Sequence, residues 1–127
     1  VSDPGGRATD IVLARAAILA AAEFLEMRPD LYDDTSMVIP WTATEPASAK
    51  GWIGYFAGLS PRRLSTVGVE FGVLGYQEAN GFHGDMEEIC KEMGWRGWLL
   101  SWRTNARLAA RCLRKLADER YAGRVAG

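Results

Sequence analysis

A chain of 127 residues is long enough to close one hydrophobic core, and 48% hydrophobic against 24% charged residues excludes the disordered and fibrous classes. Two cysteines and one histidine exclude a disulfide framework and a closed structural zinc site, which wants about four nitrogen or sulfur ligands. The net charge of −1 averages two unlike parts: residues 94–127 hold eight bases and two acids (+6), and of the chain's 15 bases and 16 acids the other residues hold seven and fourteen (−7).

Residues 1–8, VSDPGGRA, combine Pro4, Gly5 and Gly6 with no apolar period, which predicts a loose terminus. A helix is expected from Thr9 or Asp10 to about Met27, stopped by Pro29. Ile11, Leu13, Ala14, Ala17, Ile18, Ala21, Phe24 and Leu25 cover most of its circumference, as in a helix at the middle of a core. The run at 11–22 is interrupted by Arg15 and followed by Glu23 and Glu26, too short and too charged to span a bilayer. No membrane partner is expected.

Residues 28–46 show no helical period and contain Pro29, Pro40 and Pro46. An apolar island there, Met37, Val38, Ile39 and Trp41, suits either a short strand near 36–41 or a loop held on the core by Tyr32 and Trp41. A lid is the other reading of so long a connection. Helix two is expected from Ser48 through Trp52, Ile53, Tyr55, Phe56 and Leu59 to the Ser60-Pro61 stop. Residues 61–79 carry both a helical and a strand period. The start signal and the Asn80-Gly81 stop favour helix, against the cost of glycines at 68, 72 and 75.

The stretch GFHGDMEEICKEMGW, 81–95, holds the lone histidine, His83, and Cys90. Asp85 and Glu88 have the spacing of a capping box, Met86, Ile89, Cys90 and Met93 make one apolar face, and Gly94 supplies a stop. A Cys90–His83 nucleophilic pair would need an exposed thiol of lowered pKa. The pattern instead puts Cys90 inward as a small hydrophobe. Both cysteines fall on apolar helix positions, so a reducing, cytoplasmic setting is expected.

Trp95, Trp98, Leu99 and Trp102 recur at helical spacing. They read as core or, alternatively, as one wall of an aromatic pocket beneath the 28–46 loop, with Trp41, Trp52, Tyr55 and His83 as its other lining residues. A last helix is expected from Thr104 to about Tyr121, with Leu108, Ala109, Cys112, Leu113 and Leu116 inward. Arg103, Arg107, Arg111 and Arg114 share its outward stripe. That stripe is either a solvated face or a contact for an anion or a partner. Asp118 and Glu119 are expected to form local pairs. No helix-turn-helix register fits the glycines at 72 or 75, and no glycine-rich phosphate loop is present.

The expected fold is all-α: a single domain over 9–123, with a tail at 124–127, built of about five helices around the alanine-rich first one. The expected function is that of a small non-enzymatic binding module that self-associates, most simply as a dimer, without cofactor or metal. Two alternatives stay open: a small-molecule protein or enzyme using the aromatic pocket, and nucleic-acid binding through the basic helix.

Overall fold

Alanine and leucine, the strongest helix formers, dominate residues 13–25 and give the longest element, α1, Pro4–Met27. The computed structural model describes residues 4–36, 38–59, 81–94 and 102–121, with backbone alone at 4–11, 81–83 and 120. Among these residues lie three further α-helices: α2, Ala49–Phe56; α3, Gly81–Glu92; and α4, Ala106–Arg120. A 3-10 turn spans Pro29–Leu31. The described chain is thus mostly helical, with four helices where about five were expected. The helix expected over 61–79, and Trp95, Trp98 and Leu99 of the tryptophan stripe, lie outside the described residues.

Several ends differ from their expected places. α1 is already helical from Pro4, within the stretch expected to be loose. α3 already includes Gly81, the residue read as a stop, so Asp85 lies inside the helix instead of capping it. α4 is capped by Asn105, not Thr104: its Oδ1 accepts the Leu108 N–H at 3.0 Å. α2 starts as expected, with Ser48 Oγ accepting from the Gly51 N–H at 3.2 Å. It stops before Ser60-Pro61. Gly58 takes φ +80°, while Gly58 and Leu59 donate back to the Tyr55 and Gly54 carbonyls, a paired closure that favours glycine at the left-handed position.

α1 and α4 form the main seam, α2 docks on α1, and α3 docks on α4. Ala14, Ala17, Ile18, Ala21, Ala22 and Leu25 of α1 are buried, as are Leu108, Ala109, Ala110, Cys112, Leu113, Leu116 and Ala117 of α4. The many alanines let two backbones approach closely, while each buried leucine or isoleucine contributes about 1.5–3 kcal/mol of transfer free energy. Arg15–Asp118 and Glu26–Arg114 bracket this seam with ion pairs. Asp118 therefore makes its ion pair across the fold while its charge also acts on Lys115 of the same helix, and Glu119 pairs locally with Lys115. α1 is not apolar-buried all round: Val12 and Leu13 are about half exposed, at 53% and 50%.

The 28–46 connection is pinned. No strand forms among its described residues; one isolated parallel bridge joins Tyr32 to Ala47, made by Asp33 N–H to the Ala47 carbonyl and Ala47 N–H to the Leu31 carbonyl. Ile39 and Leu31 sink into the core. Two glycines of α2 make room for the returning chain. A Cβ on Gly51 would stand 2.6 Å from the Val38 carbonyl oxygen, and one on Gly54 2.9 Å from Ile39 Cδ1. Tyr32 anchors the connection as expected, but Trp41 does not. It is 75% exposed, because Ile39 and Pro40 take the inward positions beside it.

Candidate functional site

Trp52 and Tyr55, expected as pocket walls, come together in a packed aromatic knot. Their ring centroids are 5.5 Å apart, and Phe24 and Phe56 pack against the same indole. Trp52 is fully buried, and its Nε1–H donates to the Leu31 carbonyl at 2.9 Å. That carbonyl also accepts the Ala47 N–H at 3.0 Å, so a single oxygen ties α2 and the segment before it to the 3-10 turn. A buried indole needs such an acceptor. Trp52 is thus spent on cohesion, and the exposed Trp41 is not buried with it. Trp98 and the His83 side chain lie outside what is described.

The arginine stripe divides. Arg114 makes a two-pronged pair with Glu26, Nε to Oε2 at 3.1 Å, reaching from α4 to α1. The bond to Arg114 holds the Glu26 carboxyl below its ordinary range. Arg103 precedes α4; it donates to Glu87 of α3 at 3.2 Å and lies 5.7 Å from the Trp102 ring centroid. Arg107 and Arg111 are exposed. Two of the four expected anion contacts therefore have carboxylates of the same chain as neighbours, so the −7/+6 division is met in part within one fold.

A third constellation lies where α3, α4 and the 28–46 connection meet. Cys90 Sγ of α3 and Cys112 Sγ of α4 stand 2.9 Å apart, both as free thiols, with Cys112 buried and Cys90 half-buried. Tyr32 donates its phenol O–H to the Trp102 carbonyl at 2.8 Å. Burial pushes the Tyr32 phenol up, with the Asp34 charge adding to it and Arg103 opposing. Burial also raises the Asp34 carboxyl, against the pull of Arg103. The Cys112 thiol is pushed up by burial first and then by its bond to Cys90. Each of these shifts disfavours the charged form, so the Tyr32 phenol and the Cys112 thiol are not activated as nucleophiles.

The inward placement of both cysteines was legible from the apolar period. Their contact was not, because it depends on how α3 crosses α4. No sequence spacing signals that two thiols 22 positions apart will meet. Among the described residues no group of three His, Cys, Asp or Glu side chains is placed to hold a metal ion. No described helix is long and apolar enough to cross a membrane. No protein family, curated protein or solved structure matches the chain.

Proposed function

We propose that the protein is a non-enzymatic helical binding module whose first partner is a second copy of itself, joined through the outward flank of α1. The observation that carries this reading is the exposure of Val12 and Leu13, at 53% and 50%, with Ala16 exposed one turn further on and Leu19 and Ala20 half-buried beyond. A helix flank facing water is ordinarily polar. Here residues 11–22 contain one charged side chain, Arg15, and its guanidinium is engaged by Asp118. A second copy offers the same uncharged flank, and a two-fold contact requires a patch that complements itself. Ala16 and Ala20 would let the two α1 helices approach closely.

Sedimentation velocity over a range of protein concentrations tests this. A dimer is expected that Leu13→Glu converts to monomer while the helical circular dichroism stays unchanged, since Leu13 is half in water already. A strict monomer at high concentration overturns the reading.

A further inference from the structure

We propose that Cys90 and Cys112 form a redox-active dithiol pair, which a small-molecule disulfide of the glutathione class oxidises to an intramolecular disulfide locking α3 onto α4. Three observations support this, none of which rests on the self-association reading. The two sulfurs are 2.9 Å apart, roughly 0.9 Å beyond the ~2.05 Å bond length, so joining them asks for less than an ångström of approach. They come from two different helices that are already docked on one another. The seam is held in register on both sides of the thiols, by Arg103–Glu87 at 3.2 Å and Lys115–Glu92 at 3.9 Å. A pair held in contact needs no rearrangement of the chain to close.

The two thiols differ in a way that assigns their order. Cys90 is half-buried and can meet a reagent from solvent; Cys112 is buried behind it. The Cys90 thiolate attacks one sulfur of the small disulfide, whose S–S bond breaks. One thiolate leaves and takes up a proton, and Cys90 carries the other half as a mixed disulfide. Cys112 then gives up its proton and attacks Cys90 Sγ, expelling the second small thiol. In sum the protein loses two protons and two electrons, and one small disulfide becomes two small thiols. Burial and the bond to Cys90 hold the Cys112 proton, so the accessible Cys90 reacts first and closure by Cys112 is the slower step.

The test is incubation of the reduced, folded protein with oxidised glutathione, followed by acid quench, thiol counting under denaturing conditions, intact mass and peptide mapping. The expected result is loss of both free thiols with no glutathione retained, and a cross-linked peptide joining the Cys90 and Cys112 segments within a single chain. Cys112→Ala should stop at the first stage and keep one glutathione on Cys90. Wild-type protein that keeps glutathione on Cys90, joins chains covalently through Cys90, or retains both thiols overturns the proposal. Peptide mapping of the wild type decides the matter even if Cys112→Ala fails to fold. Denaturing conditions also strip away any non-covalent dimer, so failure here is distinguishable from failure of the self-association reading.

Discussion

The two short helices dock on the two long ones by different means. α2 sits on α1 through shape: a buried tryptophan, a knot of four rings and two glycines that admit the returning chain at van der Waals distance. α3 sits on α4 through two apolar side chains, Met86 and Ile89, with ion pairs and a thiol contact around them. The first flank resembles a core, where free energy comes from desolvated area and tight fit. The second is a seam with chemistry at its edge.

The sharpest break in that comparison is expected at Trp52. Replacing it with alanine removes three ring contacts and the bond to the Leu31 carbonyl, and should cost about 3–5 kcal/mol, read as a fall in the urea midpoint at unchanged slope. Next comes Gly51→Ala. Alanine gains ~1 kcal/mol over glycine in a helix, yet its Cβ would strike a backbone oxygen that cannot move without shifting the 38–39 segment. Overpacking of this kind costs about 1–3 kcal/mol, so a net loss is expected. Gly54→Ala is the control. Its Cβ would crowd the buried Ile39 side chain, 2.9 Å from Cδ1 and 3.0 Å from Cγ1, and a side chain yields more readily than a backbone carbonyl, so a smaller loss than at Gly51 is expected. A gain at both positions, as at open helix sites, would show that the α2 flank is not held by close fit.

Between the flanks stands Tyr32, which hydrogen-bonds from the 28–46 connection to the Trp102 carbonyl. Tyr32→Phe keeps the ring and deletes the donor, with an expected loss of about 1 kcal/mol. On the α3 flank the Arg103–Glu87 pair is half exposed on both sides, so a double-mutant cycle should return a coupling below about 1 kcal/mol that shrinks with added salt. A coupling of several kcal/mol there would reverse the ranking of the two flanks.

These contrasts also mark what the sequence could disclose. The buried faces of α1, α3 and α4 follow from 3.6-residue spacing, and the Ser48 cap follows from its hydroxyl preceding an apolar run, because both are local facts. The Asn105 cap of α4 differs by one residue from the expected Thr104, because threonine and asparagine both suit a cap and only the local backbone chooses between them. The apolar island made Trp41 an expected anchor, but burial depends on which side of the chain the core lies, and Ile39 and Pro40 face it. The thiol contact and the salt bridge from Arg114 to Glu26 join residues 22 and 88 positions apart. They exist only once helices have chosen their crossings, and no single helix period encodes that choice.

The smallest effect expected is at the α1–α4 seam that both flanks share, and it is one of pH. Arg114 holds the Glu26 carboxyl below its ordinary value near 4.5, chiefly through their hydrogen bond and against the cost of burial. An acid whose pKa is depressed by folding adds stability that is present above the unfolded value and is lost as pH falls through the folded one. The contribution should therefore be intact at neutral pH and fade below about pH 4.5. Both side chains are more than a third exposed, so solvent screening limits it to about 0.5 kcal/mol. Glu26→Gln removes the titration and leaves the size of the side chain nearly unchanged. Its stability difference from wild type, measured by urea unfolding at a series of pH values, should shrink toward zero on the acid side of pH 4. A difference that stays constant down to pH 3 would mean the seam is held by its alanines and leucines alone, with the paired charges serving only to keep its edge in water.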